Sequence, residues 1–233
     1  IYDNQLAIES VELLILGSDS CRVEDFKRIM ARFGDKMRII NIYGLTETTI
    51  DTSYYEEEYE QIIDGGNVPI GQPLPNGKVY VLDDSLKPQP IGVVGQLYVG
   101  GKSLARGYYN RKELTKERFI ESPFKPGERL YKTGDQARWL ADGNLEFLGR
   151  IDYQTKIRGY RIELGEIENL LLEKEEIKNV CLVAKNGGDG NKYLAGYYTK
   201  NQEISVEEIR DYLKERLPDY MVPTYLIPLE EMP

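Results

Sequence analysis

GRIDYQTKIRGYRIELGEIE, Gly149 to Glu168, places four basic side chains, four carboxylates and three glycines in twenty residues. It then enters a helix: Leu164, Ile167, Leu170 and Leu171 recur at helical spacing, and the apolar face is expected to run to about Glu175. A strand so charged and so punctuated by glycine has two readings, a solvated edge connection or a movable element that carries charge to a phosphate. Alternate residues of a strand share a face, so Lys156 and Arg158 would point the same way and meet one anion together. Both readings stay open on the stretch alone. The patterns on its two sides differ, and the chain is expected to divide there into residues 1–151 and 152–233.

Upstream, Val11 to Leu16 is a short apolar run closed by Gly17, which suits a buried strand. Val23, Phe26, Ile29, Met30 and Phe33 then fall at helical spacing and stop at Gly34. MRIINIYG reads as a second buried strand. Strand, helix, strand sets the loops GSDS and GLTETT at strand ends, where α/β folds hold ligands. From Gly71 to Gly149 the runs shorten. VYVLDD, GQLYVGG and the alternating segments either side of Asp142-Gly143 predict a small antiparallel β unit, interrupted by a helix at about Lys112 to Phe119.

Downstream, NVCLVAK and LAGYYTK read as strands joined by the glycine-rich turn Gly187 to Gly190. Ser205 and Glu208 make a capping box for a helix carrying Ile209, Tyr212, Leu213 and Leu217, stopped by Pro218. The predicted class is α/β for the larger part, with an antiparallel β unit attached, followed by a smaller α+β domain.

Composition excludes several functions. The net charge of −9 argues against broad nucleic-acid or anionic-membrane binding, so any phosphate is expected to be held locally. Without histidine, this chain offers no imidazole base and no imidazole-ligated zinc. Cys21 and Cys181 lie far apart without metal-ligand spacing and are expected to be free thiols in a reducing compartment. No apolar run or signal pattern suggests a membrane span or export, so a soluble, cytoplasmic protein is expected.

Three stretches carry candidate chemistry. NIYGLTETT, Asn41 to Thr49, sets an aromatic ring, a glycine, hydroxyls and a carboxylate in one loop after a strand. Tyr43 could stack a base, Thr46 bond a phosphate and Glu47 hold a hard cation; a capped turn with a solvated glutamate is the other reading. YKTGDQARW, Tyr131 to Trp139, has a Gly-Asp step at an expected strand end, where Asp135 could accept from a ribose diol or simply close a turn. GQLYVGGKSLARGYYN supplies glycines, an arginine and aromatics that suit bulges and strand edges.

In order, NIYGLTE, GQLYVGGKSLARGYYN, YKTGDQ, GRIDYQTKIRGYRIELGEIE and LPDYMVP resemble five motifs of the amino-acid adenylation domains of nonribosomal peptide synthetases, members of the adenylate-forming superfamily. The resemblance implies activation of an amino acid with ATP to aminoacyl-AMP, with Mg²⁺, and transfer of the acyl group to the phosphopantetheine thiol of a peptidyl carrier protein. It implies that Tyr43 and Gly44 contact adenine, Thr46 the phosphate, Glu47 the Mg²⁺, and Asp135 with Arg150 the ribose. It makes Asp152 the hinge of a small mobile domain and Lys156 a lysine that enters the site for the second half-reaction. The opening stretch would then be charged because it swivels between two arrangements of the site.

The resemblance further implies that Ile15, Gly17, Ile42, Ile50 and Asp51 line the side-chain pocket. An acidic Asp51 among apolar walls favours ornithine, diaminobutyrate or lysine, with glutamine as the alternative. Leu45 stands where the family motif has proline and is expected to loosen its loop; Gln96 and Gln136 are two further departures. The family's phosphate loop and ammonium-binding aspartate are expected before residue 1, and its last lysine after Pro233. The chain therefore reads as the C-terminal half of an adenylation domain, inactive alone, with exposed apolar area where the missing N-terminal half would sit. The competing readings are a non-catalytic carrier-docking module and an acyl-CoA or D-alanyl-carrier ligase of the same superfamily.

Overall fold

The computed structural model describes residues 10–17, 19–62, 65–151, 155–157, 160–187 and 192–232, except the side chains of residues 155, 156, 161 and 186. Asp152, Arg158, the Lys156 side chain and most of the expected Gly187 to Gly190 turn lie outside the described residues. The chain forms two compact units, Ile1–Ile151 and Asp152–Pro233.

The first unit opens with β1 (Leu13–Leu16), α1 (Val23–Phe33) and β2 (Arg38–Tyr43), and β1 lies parallel to β2 with Ile15 opposite Ile40. Two acids in the first turn of α1 and Arg32 in the last complement its dipole, and the helix closes where the Gly34 N–H reaches the Met30 carbonyl at 2.7 Å. β3 (Ser53–Tyr55) and β4 (Gln72–Pro73) extend the sheet in the order β1-β2-β3-β4. Val23, Phe26 and Phe33 of α1 cover one face, packed on Ile39 and Tyr55.

The other face corrects the expectation of a buried first strand. Its β1 residues Leu13 and Ile15 are 41% and 50% exposed, and Tyr54 of β3 is also exposed. Only Leu14 and Leu16 turn toward the helix side, because successive residues of a strand face opposite ways.

The rest of this unit is an antiparallel sheet of β5 (Gly77–Leu82), β6 (Gly95–Gly101), β7 (Phe119–Glu121), β8 (Arg129–Trp139) and β9 (Leu145–Arg150), with α2 (Lys112–Arg118) before β7. β8 pairs with β6, β7 and β9, so it is the hub of the sheet. Asp142 and Gly143 make the expected hairpin turn: Asp142 Oδ1 accepts from the Asn144 N–H at 2.9 Å, and Gly143 has φ +86°. One correction concerns the Gly-Asp step of YKTGDQARW, which lies inside β8 rather than at a strand end.

The second unit begins with the hairpin β10 (Thr155–Ile157) and β11 (Tyr160–Ile162), followed by α3 (Leu164–Leu172), β12 (Ile177–Asn186), β13 (Lys192–Lys200), α4 (Val206–Lys214) and β14 (Tyr225–Pro228). β12, β13 and β14 form one sheet, with β14 parallel to β13. Ile167 and Leu171 of α3, Ile209 and Leu213 of α4, and Leu182 and Tyr198 of the sheet share a core. The capping box at α4 forms: Ser205 Oγ accepts from the Glu208 N–H at 3.2 Å, and Glu208 Oε2 accepts from the Ser205 N–H at 2.9 Å. Both helices end three residues short of expectation, α3 at Leu172 rather than Glu175 and α4 at Lys214, although Leu217 still enters the core. Among the described residues, no helix is long and apolar enough to cross a membrane, and Cys21 and Cys181 are free thiols.

Candidate functional site

The middle of β8 carries a bulge. Gln96 of β6 pairs with Gln136 and Tyr98 with Lys132, so Leu97 alone faces the three residues Thr133, Gly134 and Asp135. Glycine suits the middle position, where φ is +81°. Thr133 fills the gap: its hydroxyl donates to the Leu97 carbonyl at 2.7 Å and accepts from the Asp135 N–H at 3.0 Å.

The bulge holds Asp135 opposite Arg150 of β9. Arg150 Nη1 donates to Asp135 Oδ1 at 2.8 Å and Nη2 to the Thr133 carbonyl at 3.1 Å. The other carboxylate oxygen, Oδ2, accepts from the Tyr43 hydroxyl. The pair is closely confined, with 14% of the Arg150 side chain and 3% of the Asp135 side chain exposed. Burial first, and then the charge of Asp135, push the Tyr43 phenol well above its ordinary range, so it remains a donor. A carboxylate has about four lone-pair sites, so a ligand diol would join these donors or displace the Tyr43 hydroxyl. The Tyr43 ring lies 6.3 Å from that of Phe147 and packs on two apolar clusters.

The loop after β2 is folded back on itself. A Cβ on Gly44 would stand 1.5 Å from the Ile50 carbonyl oxygen, so only glycine fits there. Thr48, fully buried, accepts from the Leu45 N–H at 3.2 Å and lies 2.7 Å from the Thr52 hydroxyl. Leu45 does not loosen the loop. It is buried among Phe119, Tyr131, Leu104, Ala105 and Tyr108, and its N–H, which a proline would lack, is in use. Thr49 and Ile50, both β-branched, have φ of 60° and 70°, a conformation such residues rarely adopt.

Glu47 is 8% exposed, which removes the solvated-turn reading. Its Oε1 accepts from the Tyr108 hydroxyl at 2.7 Å, and that hydroxyl is 3.1 Å from the Tyr131 hydroxyl. Burial, the neighbouring Tyr131 hydroxyl and the Glu47 carboxylate push the Tyr108 phenol upward. Thr46 opens the short 3-10 turn Thr46–Thr48 and is exposed.

Of the pocket candidates, Ile15, Gly17 and Ile42 come together on the open face of the β1–β2 sheet. A Cβ on Gly17 would approach Ile42 Cγ1 to 2.8 Å. Ile50 is 73% exposed, and Asp51 is half-buried rather than enclosed, so a buried-charge cost does not define its partner here. Tyr108, Thr133 and Thr48 were not singled out by sequence reasoning. Tyr108 lies in the quoted ARGY run, but its partner is 61 residues away.

The AMP-binding enzyme family model matches residues 3–109, and the model of the AMP-binding enzyme C-terminal domain matches residues 166–233. The chain belongs to the AMP-binding enzyme family. Over all 233 residues it is 52% identical to bacitracin synthase 2 of Bacillus licheniformis and 53% identical to tyrocidine synthase 3 of Brevibacillus parabrevis. It spans 9% and 4% of the lengths of those two relatives. The solved structure of NpsA-ThdA, an artificially fused adenylation-PCP di-domain NRPS from Klebsiella oxytoca, superposes with TM-score 0.74 at 29% identity, covering 92% of this chain and 40% of that one. The AMP-binding fold seen here is thus the adenylation fold of the peptide-synthetase type. Asp135 and Arg150 fall between the two family matches, within the span shared with the synthases.

Proposed function

We propose that this chain forms the nucleotide- and cation-holding part of an amino-acid adenylation domain, which activates an amino acid with ATP and passes it to a carrier protein's phosphopantetheine thiol. The observation that carries the proposal is the Asp135–Arg150 pair with the Tyr43 hydroxyl upon it, set beside the Glu47 loop that leaves the same strand end. In this reading Asp135 and Arg150 hold the ribose, Tyr43 and Gly44 border the adenine, and Thr46, exposed at the start of its turn, bonds a phosphate oxygen.

Glu47 suits Mg²⁺, a hard cation commonly held by one or two carboxylates together with substrate phosphates. When bound, the cation neutralises phosphate charge. The amino-acid carboxylate attacks the α-phosphorus in line, forming the acyl–phosphate bond as the bond to pyrophosphate breaks. The chain's own contribution is positioning, which requires no histidine.

The comparisons support a carrier-protein partner, since the matched solved protein joins an adenylation domain to a PCP. In this reading Asp152, at the boundary of the two units, serves as the hinge, and Lys156 serves the transfer step. In the same reading Asp51 favours a basic side chain such as ornithine, diaminobutyrate or lysine through charge attraction at a half-buried site rather than through the cost of a buried charge.

The test is amino-acid-dependent ATP–pyrophosphate exchange by a complete adenylation domain containing this chain, over a panel of amino acids. Exchange is expected with at least one amino acid, falling roughly 100-fold in Glu47→Ala and in Asp135→Ala. Circular dichroism checks that the variants stay folded. A folded protein that exchanges with no amino acid would refute the proposal, and exchange confined to large apolar amino acids would refute the role given to Asp51.

A further inference from the structure

We propose that Tyr108 is a positioning residue for the cation, its hydroxyl fixing the Glu47 carboxylate in the orientation that ligation requires; this rests on the reading of Glu47 as the cation ligand. The terminal torsion of a glutamate is broad, so an unheld carboxylate samples many planes. Mg²⁺ demands near-ideal octahedral geometry and penalises a ligand that must be reoriented on binding. The 2.7 Å bond from the Tyr108 hydroxyl to Oε1 removes that freedom.

Tyr108 can fix Glu47 only if it is itself fixed, and the run from Ser103 to Tyr108 is fastened to the Glu47 loop at several points. The Ala105 N–H donates to the Glu47 carbonyl at 2.9 Å, and the Thr49 hydroxyl donates to the Ser103 carbonyl at 2.6 Å. Leu45 packs against Leu104, Ala105 and Tyr108. From the other side, the Arg129 guanidinium bonds the carbonyls of Ala105 and Arg106, both at 3.0 Å. The Tyr108 N–H reaches the Thr115 hydroxyl at 2.9 Å, and the Tyr108 ring meets Phe119 edge-on at 5.7 Å. The backbone and ring of Tyr108 are thus set before any ligand arrives.

The hydrogen-bond direction follows from the groups. An ionised Glu47 only accepts, so the single hydroxyl hydrogen of Tyr108 goes to it. The 3.1 Å contact with Tyr131 is then made by Tyr131 donating to the Tyr108 oxygen. The chain Tyr131 to Tyr108 to Glu47 polarises toward the carboxylate, each bond strengthening the next.

The test is Tyr108→Phe in a complete adenylation domain containing this chain, with two readouts. Mn²⁺ binding in the presence of ATP, followed by electron paramagnetic resonance, should weaken about tenfold, and the Mg²⁺ needed for half-maximal exchange should rise in parallel, with the exchange rate at saturating Mg²⁺ and the amino-acid KM changed by less than about twofold. Phenylalanine keeps the ring on Phe119, so a merely structural role would leave the Mn²⁺ affinity alone. Unchanged Mn²⁺ binding, or equal losses in cation, adenosine and amino-acid affinity, would overturn the proposal. Tyr131→Phe, which removes the outer donor, should shift Mn²⁺ affinity the same way by less, and it decides the matter if Tyr108→Phe does not fold. Glu47→Gln separates the two levels: if it weakens Mn²⁺ binding and Tyr108→Phe does not, only the positioning role fails. If Glu47→Gln has no effect, the cation reading fails with it.

Discussion

Gly44 and Leu45 decide whether the loop after β2 can exist. With the Ile50 carbonyl 1.5 Å from where a Cβ would stand, Gly44→Ala must push the two limbs of the loop apart. Overpacking of this kind costs about 1–3 kcal/mol or more. Gly44→Ala is therefore expected to lower the thermal midpoint of the first unit and to weaken AMP binding in a complete adenylation domain; a variant with parental stability and affinity would show that the loop has slack. Leu45 holds the next position by a different means, through apolar contacts on Phe119 and Tyr131 and through an N–H bond to Thr48. The other two departures from the family motif also meet, since Gln96 of β6 is paired directly with Gln136 of β8. Substitution at one of these positions therefore alters the environment of the other, a link that their separate places in the sequence do not reveal.

Elements whose limits are set by neighbouring residues were legible in the sequence. α1 was anticipated from the helical spacing of its apolar residues between Val23 and Phe33, and the start of α4 from the Ser205 and Glu208 pair that caps it, because both signals act over one or a few turns. That cap is testable: Ser205→Ala should cost the second unit about 1 kcal/mol at neutral pH, read by denaturant unfolding. The bonds from Ser205 also hold the Glu208 carboxyl below the usual glutamate value of 4.5. A carboxylate with a depressed folded-state pKa adds stability that is present above the unfolded pKa and is lost as pH falls through the folded one. The part of the Ser205→Ala penalty that comes from the hydroxyl's bond to Glu208 should accordingly shrink as pH drops from about 6 to about 3; a penalty constant across that window would show that the hydroxyl gains nothing from the charge of Glu208. The β8 bulge was not legible, because it depends on partners from other strands: the Leu97 carbonyl, which takes the Thr133 hydroxyl, and Arg150, which takes Asp135. The identities of Asp135 and Glu47 could be read from their motifs, but their burial and their tyrosine partners arise only when distant segments pack. The half-exposed β1 misled for a related reason, since an apolar run does not say which of its faces is covered.

At the scale of the whole chain, the two units have separate cores. Ile209, Ile167 and Leu171 are fully buried in the second, while Phe26, Val81 and Leu97 belong to clusters of the first. Replacing a fully buried isoleucine by alanine costs about 2–5 kcal/mol, a large share of the roughly 5–15 kcal/mol that stabilises a domain. Because substitutions without shared partners act independently, Ile209→Ala should weaken the second unit and leave the first at its parental stability. The chain contains a single tryptophan, Trp139, and it lies on β8 of the first unit, so its fluorescence reports that unit alone. Far-UV circular dichroism of Ile209→Ala should then show an early loss of signal from α3, α4 and the β12–β14 sheet, while the tryptophan transition keeps its parental midpoint. A tryptophan midpoint that moves with the circular dichroism would mean that the units unfold as one. The independence of the two cores would then have to be abandoned.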